Sequence, residues 1–100
     1  MNYINYTLIF KALGDETRLK IVSILSEQEL CACEILTSFN ITQPTLSYHM
    51  KLLVDSGLVS SVKDGSWIKY KLNNEIKNSL VDFLSQTNHL NILAEGCEKK

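Results

Sequence analysis

Hydrophobic residues recur at helical spacing along most of the chain. Residues 3–13 carry apolar side chains around most of their circumference, which predicts a first helix buried on more than one side. Gly14 interrupts this pattern, and Asp15 can cap a second helix over residues 16–27. A third helix is predicted over residues 32–39, where apolar positions follow the i, i+3, i+4, i+7 rule: Ala32, Ile35, Leu36 and Phe39.

A fourth helix follows closely, after a turn at Asn40 and Ile41. It is predicted over about residues 42–56, because Thr42 can cap it and Pro44 falls in its first turn. Gly57 suits a left-handed cap at its end. Apolar residues spaced by four and three give the helix one buried stripe: Leu46, Met50 and Leu53.

After the fourth helix, the spacing of apolar residues changes to the alternation that is typical of β-strands. Residues 58–63 and 66–72 flank Asp64 and Gly65, a strong hairpin signal. The expected inward face comprises Val59, Ile68, Tyr70 and Leu72. A hairpin directly after two helices joined by a tight turn is typical of a wing, although a plain structural hairpin fits the same pattern.

A last helix is predicted over about residues 74–90. One face is lined by Ile76, Leu80, Phe83 and Thr87, and is widened by Val81 and Leu84. So wide an apolar face indicates packing against a second subunit, together with the first helix. We therefore expect a mainly α fold with a β-hairpin wing, a winged helix-turn-helix in residues 1–93, and a flexible tail at 94–100.

Composition narrows the class further. One hundred residues with 45% hydrophobic side chains allow one small domain, and no apolar run is long enough to span a membrane. No signal peptide is visible, so a cytoplasmic location is expected. Three cysteines in a reducing compartment favour free thiols or a metal site over disulfides.

Charge and polarity point to DNA. The chain has net charge −1, but residues 42–72 are net positive. The fourth helix offers mostly uncharged donors and acceptors off its buried stripe, as base edges in the major groove require: Gln43, Thr45, Ser47, Tyr48 and Lys51. The wing adds Lys63, Ser66 and Lys69. An ordinary amphipathic helix with a polar outer face remains the alternative.

Several segments resemble the ArsR/SmtB metalloregulatory repressors. FKALGDETRLKIVSIL at residues 10–25 is similar to the opening of that family, and QPTLS at 43–47 to its recognition helix. SGLV at 56–59, Asp64-Gly65 and Tyr70-x-Leu72 resemble its wing. The resemblance implies a homodimer that binds double-stranded DNA at an inverted-repeat operator and leaves it when a metal or metalloid binds.

Glu29-Leu30-Cys31-Ala32-Cys33-Glu34 resembles the arsenite-sensing motif of the family. It implies As(III) or Sb(III) as inducer, bound by Cys31 and Cys33, with no catalytic cofactor. Leu36 stands where many arsenite sensors carry a third cysteine. Cys97 is a candidate for the third sulfur ligand, and the alternatives are a small cellular thiol or no third ligand.

The spacing of the two cysteines poses a geometric problem. Residues two apart on an α-helix point about 200° apart, so Cys31 and Cys33 cannot chelate one ion while both are helical. They can if Cys31 precedes the helix, or if its first turn unwinds. One hypothesis is that ion binding favours a frayed start of the third helix, whereas DNA binding favours the intact helix. The helix N-terminus is also expected to favour thiolates.

Other interpretations stay open. The cysteines suit a redox switch, or a sensor of cadmium, lead or bismuth, and a winged helix that only contacts proteins is a third class. An enzyme is not expected, since no phosphate loop or nucleophile with a placed base is apparent. His49 fits packing or hydrogen bonding at the helix edge. Arg18 fits a phosphate contact or an acidic neighbour, and Trp67 fits either surface or core.

Overall fold

Five helices and a three-stranded antiparallel sheet succeed one another along residues 3–86, the part of the chain that the computed structural model describes. In chain order they are α1 (Tyr3–Leu13), α2 (Glu16–Leu25), β1 (Leu30–Cys31), α3 (Ala32–Leu36), α4 (Gln43–Asp55), β2 (Val59–Asp64), β3 (Trp67–Leu72) and α5 (Asn74–Ser85). The expected mainly α architecture with a β-hairpin is confirmed. Thr87 and the tail at 94–100, with Cys97, lie outside the described residues.

Side-chain caps fix the helix starts where the sequence predicts them. The Asp15 carboxylate accepts a hydrogen bond from the Arg18 amide at 3.0 Å, and the Thr42 hydroxyl accepts one from the Thr45 amide at 3.3 Å. These bonds satisfy backbone donors that have no partner inside the helix. At the other end of α4, Gly57 adopts φ 87°, the left-handed conformation expected of a terminating glycine.

α3 is shorter than the sequence predicts. The prediction of a helix over residues 32–39 is wrong beyond Leu36, because the chain tightens into turns. The Ser38 and Phe39 amides donate to carbonyls three residues back, at 3.0 and 3.2 Å. The Thr37 hydroxyl also donates to the Glu34 carbonyl at 2.7 Å. Phe39 still packs against the core, which is why the apolar pattern outlasts the helix.

Strand β1 has no counterpart in the sequence prediction. Its two residues, Leu30 and Cys31, pair antiparallel with Tyr70 and Lys69 of β3, so the sheet order is β1-β3-β2. Two residues are too few for alternation to appear in a sequence. The pairing attaches the start of α3 directly to the wing.

The wing is a regular hairpin from Val59↔Leu72 to Asp64↔Trp67. Its loop is Gly65 and Ser66, one residue later than the expected Asp64-Gly65 turn, and Gly65 has φ 64°. The base of the hairpin joins the core, but its outer half is exposed. The expected inward position of Ile68 is therefore wrong, since its side chain is 46% exposed. Trp67 lies on the surface.

The core lies where α1, α2, α3 and α4 meet the base of the sheet. Its fully buried side chains are Ile9, Ile21, Ile35, Leu46, Met50, Leu53 and Val59. α5 packs back on α1, where the rings of Tyr6 and Phe83 stack with centroids 4.2 Å apart. Two apolar side chains of these helices, Phe10 of α1 and Val81 of α5, remain 42% and 52% exposed.

Candidate nucleic-acid interface and thiol site

The outward face of α4 presents the polar groups that the sequence predicts as DNA contacts. The buried stripe of Leu46, Met50 and Leu53 is at most 1% exposed, which fixes the rotation of the helix. Off this stripe, the helix carries the exposed residues Gln43, Thr45, Ser47, Tyr48 and Lys51. A helix held this way is free to enter a major groove with its N-terminal turns.

The lysines near this face are held only loosely. Lys51 donates to the Asp55 carboxylate at 2.9 Å, and this hydrogen bond raises the pKa of Lys51. Lys69 lies 3.8 Å from the Asp64 carboxylate on the wing, where Lys63 and Ser66 are exposed. Exposed ion pairs contribute only about 0–1 kcal/mol, so phosphate groups can replace these carboxylates.

Arg18 points into the protein. Its Nε donates to the Ala12 carbonyl at 2.6 Å, and its Nη1 donates to His49 Nδ1 at 2.9 Å. A guanidinium can only donate, so His49 Nδ1 must accept and the imidazole proton sits on Nε2. The Asp15 carboxylate, 3.9 Å from Nδ1, is too far for a hydrogen bond. Arg18 thereby ties α1, α2 and α4 together.

We expect Arg18→Met to destabilise the domain by about 1–3 kcal/mol, because the Ala12 carbonyl and His49 lose their donor. Urea unfolding monitored by circular dichroism measures the change. The control is Lys20→Met, which removes only the exposed contact with Glu16 and should change stability by less than about 0.5 kcal/mol. Unchanged stability with weakened DNA binding would instead assign Arg18 to a phosphate.

The two cysteines of the motif meet at the start of α3. Cys31 is the N-cap residue, with extended backbone at φ −82° and ψ 162°, so it precedes the helix. Its Sγ lies 2.7 Å from the Sγ of Cys33. The structure therefore provides the first of the two geometries that permit chelation, and no turn of α3 has to unwind. Cys31 is buried and Cys33 is exposed.

Hydrogen bonds around this thiol pair hold its geometry. The Cys31 amide donates to Glu34 Oε1 at 2.9 Å, and this bond lowers the pKa of Glu34. The contact with Cys33 and burial raise the pKa of Cys31 above the usual range of a thiol. The backbone amide of Glu34 in the first turn of α3 lowers the pKa of Cys31, as expected of a helix N-terminus, but the contact with Cys33 and burial outweigh this effect.

A cavity of about 140 Å³ joins the thiol site to α4. Its walls come from α3, α4 and β3, and they are formed by Ala32, Cys33, Leu36, Gln43, Leu46, Ser47, Met50 and Tyr70. Two predicted DNA contacts therefore border the same space as a predicted metalloid ligand. Sequence reasoning missed Met50 and Tyr70 here. The one sequence feature that could have indicated this cavity was Leu36, an apolar residue one turn after Cys33.

Within residues 3–86, no group of three or more histidine, cysteine, aspartate or glutamate side chains could hold a metal ion. The described part of the candidate site thus supplies two sulfur atoms. Cys97, the candidate for a third, is outside that part.

Comparison with known proteins identifies the fold and family. The profile of the family described as "Bacterial regulatory protein, arsR family" matches residues 15–61. An arsenical resistance operon repressor from Staphylococcus aureus is 45% identical over 91 residues, which cover 91% of this chain and 88% of that protein. The chain belongs to the arsR family.

Two further matches agree with this assignment. A cadmium resistance regulator, the CadC homolog of Staphylococcus aureus, is 38% identical over 88 residues, covering 85% of this chain and 73% of that protein. An ArsR-like transcriptional regulator from Rhodococcus sp. RHA1 superposes with a TM-score of 0.83 at 27% identity, covering 97% and 92% of the two chains.

The family settles the general class of this arsR-family chain. It is a winged helix-turn-helix transcriptional repressor and not an enzyme, as the sequence predicts. The helices of residues 3–86 also include none with the length and apolar character that crossing a membrane requires.

Proposed function

We propose that this chain binds an operator as a homodimer and is released when As(III) or Sb(III) binds the thiolates of Cys31 and Cys33. The observation that carries the proposal is the contact between these two sulfur atoms, 2.7 Å apart beside the DNA-reading helix. Soft thiolates are the ligands that thiophilic ions prefer. The arsenical repressor among the relatives supports the same inducer.

DNA recognition is assigned to α4 and the wing. Gln43, Thr45, Ser47 and Tyr48 would contact base edges, since they are exposed on the N-terminal half of a helix seated in the core. Phosphates would be met by Lys51 on α4, and by Lys63, Ser66 and Lys69 on the wing. The chain has net charge −1 and only residues 42–72 are net positive, so one subunit attracts DNA weakly and two subunits are needed for tight binding.

Dimerisation is assigned to the paired α1 and α5. The surfaces of these two helices include the exposed apolar side chains of Phe10 on α1 and Val81 on α5. Covering such a surface with a second copy removes it from water. A two-fold dimer would place two α4 helices about one DNA turn apart and read an inverted repeat.

Release requires that the ion bind the DNA-free form more tightly than the DNA-bound form. Cys33 shares a cavity wall with Gln43 and Ser47, and Cys31 pairs with Lys69 of the wing. An ion bound to the two sulfur atoms would thus lie close to both α4 and the wing, the two elements proposed to contact DNA. Couplings between sites are typically about 1–3 kcal/mol, or roughly 5–150-fold in affinity.

The test is fluorescence anisotropy with labelled DNA from upstream of the gene, in a phosphine reductant that has no thiol. Arsenite at about one equivalent per subunit should weaken DNA binding by roughly 5–150-fold in the original protein. Cys33→Ser should bind DNA normally and lose this response, because one thiol cannot chelate. Release of the Cys33→Ser protein by the same arsenite concentration would contradict the proposal.

Cys97→Ser and Ser38→Ala complete the experiment. Cys97→Ser asks whether a third thiol contributes, and a loss of arsenite sensitivity would assign it as the third ligand. Ser38→Ala is a matched control in an exposed turn after α3, and it should respond to arsenite as the original protein does.

Cadmium is a second candidate inducer, because the CadC homolog is similar over most of the chain. Cd²⁺ also prefers thiolates. The same titration with Cd²⁺ separates the two: release by Cd²⁺ without response to arsenite or antimonite would assign the site to divalent ions. A peroxide titration tests cysteine oxidation as the trigger in the same assay.

A further inference from the structure

We propose that Trp67 is a specificity-determining residue of DNA binding, whose indole ring enters the minor groove beside each half-site and favours A·T pairs there. Trp67 stands at the tip of the wing, where it pairs with Asp64 directly after the two-residue loop. It thereby adds base reading to a wing whose lysines meet phosphates, and this role rests on the proposed DNA contacts of α4 and the wing.

The outer half of the wing is apolar on both of its faces. Trp67 and Val62 are 58% and 52% exposed on one face, and Ile68 is 46% exposed on the other. Lysines stand directly across the hairpin from two of these residues: Lys69 from Val62, and Lys63 from Ile68. A DNA groove has walls of the same two kinds, sugars and anionic phosphates. The outer wing therefore complements such a groove in both polarity and charge.

The wing is long enough to reach a minor groove while α4 occupies the major groove. Its base, the pair Val59↔Leu72, is buried in the same core as the stripe of α4. Five residue steps separate this pair from Asp64↔Trp67, which is about 17 Å at roughly 3.4 Å per residue. The neighbouring minor groove lies half a helical turn from a major groove, also about 17 Å. Trp67 therefore lies at the part of the wing that reaches it.

The indole ring suits the minor groove at A·T pairs. Its apolar faces can pack on sugars, and Nε1–H is its hydrogen-bond donor. A·T and T·A pairs present only acceptors in that groove, adenine N3 and thymine O2, whereas a G·C pair adds the amino donor of guanine. That amino group would oppose Nε1–H and occupy the space of the ring. A·T pairs under the wing are therefore favoured.

Asp64 places a carboxylate at the same tip, where phosphates repel it. Its Oδ2 lies 3.8 Å from Lys69 Nζ, so part of the repulsion is offset. Asp64→Asn should strengthen binding to every sequence by a similar factor, because contacts with phosphates carry no sequence information. A change at Trp67 should instead alter the choice of base pair.

Trp67 is the only tryptophan of the chain, so its fluorescence reports on this position alone. The full chain is titrated with the duplex from upstream of the gene, and quenching by acrylamide is measured in the free and bound states. We expect bound DNA to shield the ring and to reduce quenching severalfold. Unchanged quenching on a saturating duplex would overturn the inference. Shielding already present in the DNA-free protein would also overturn it, because a second copy would then cover the ring.

Anisotropy with the same duplex measures the contribution of the ring to affinity. Trp67→Ala should weaken binding by roughly 5–150-fold, as for other aromatic rings packed on nucleic acid. Trp67→Phe keeps a ring without the donor and should lose less, and it keeps the test decisive if Trp67→Ala does not fold. The matched control is Leu19→Ala, which removes an apolar side chain that is 52% exposed on α2 and should leave affinity unchanged. Full affinity in both Trp67 variants would contradict the role of the ring.

Three duplexes test the choice of base pair. They differ only in the pairs under the wing, located by hydroxyl-radical footprinting, and carry A·T, inosine·C or G·C. Inosine lacks the amino group of guanine, so inosine·C presents the minor-groove pattern of A·T. We expect A·T and inosine·C to bind alike, each about tenfold tighter than G·C, and Trp67→Ala to lose this preference. A preference that Trp67→Ala retains would assign it to other residues.

Failure of the proposed function would look different. If the original protein does not bind the upstream DNA at all, the proposed function falls and the role of Trp67 falls with it. Binding that arsenite still reverses, without shielding of Trp67 or loss of affinity in its variants, would overturn only the minor-groove inference.

Discussion

Val81→Glu is expected to convert the proposed dimer into monomers and to weaken operator binding by about 100-fold or more. Val81 is an apolar residue of α5 that is 52% exposed, and α5 is one of the two helices proposed to form the interface. A carboxylate there would have to be buried against the partner, which is costly without a cation. Specific DNA affinities near 10⁻⁸ M or tighter depend on two half-sites, and a monomer holds only one. Sedimentation velocity and anisotropy measure the two effects.

Leu19→Glu is the matched control for this prediction. Leu19 is also 52% exposed, but it belongs to α2, which is not one of the helices of the proposed interface. It should leave both the mass and the DNA affinity nearly unchanged. A dimeric Val81→Glu protein with full operator affinity would show that α5 does not form the interface.

Ile35→Ala will lower the free energy of unfolding by about 2–5 kcal/mol, because it removes a fully buried side chain. Ile35 is the buried residue of α3, a helix of five residues that carries Cys33. The change is a large part of the roughly 5–15 kcal/mol that stabilises a typical domain. Urea unfolding at fixed protein concentration measures it, since the proposed dimerisation would make stability depend on concentration.

Ile24→Ala makes the same substitution in α2, where the side chain is only half-buried. It should cost clearly less than Ile35→Ala. Similar losses of unfolding free energy at both positions would contradict the prediction that full burial makes Ile35 the more costly site.

The helices could be predicted because their signals are local. Asp15 and Thr42 cap helices where the sequence places them, and Gly57 ends α4 with the expected positive φ. The stripe of α4 also predicts its rotation, since three residues spaced by four and three can only face one side. From that rotation the exposed polar face follows directly.

Features that depend on contacts distant in sequence could not be predicted. Strand β1 exists because Leu30 and Cys31 pair with residues some forty positions later in β3. α3 ends at Leu36 because turns replace helical hydrogen bonds, although Phe39 still faces the core. Ile68 fits the alternation of apolar residues along β3, but it lies beyond the core. The prediction of an inward side chain, which used alternation alone, was therefore wrong.

The candidate site was also predictable only in part. The sequence motif identified Cys31 and Cys33 and the conflict between their spacing and helix geometry. The structure shows that Cys31 precedes the helix. The inward bonds of Arg18 and the cavity beside Cys33 required three-dimensional packing, because the residues involved are up to 38 positions apart, from Ala32 to Tyr70.

The unequal exposure of the two cysteines sets an order of events for the proposed induction. Cys33 is open to solvent, whereas Cys31 is buried and forms the second residue of strand β1. An incoming arsenical would therefore bond to Cys33 first, at a rate proportional to its concentration. Closure onto Cys31 would follow within the same molecule, since its sulfur atom lies 2.7 Å from that of Cys33. The first step would be reversed by dilution, and the second would commit the protein to release.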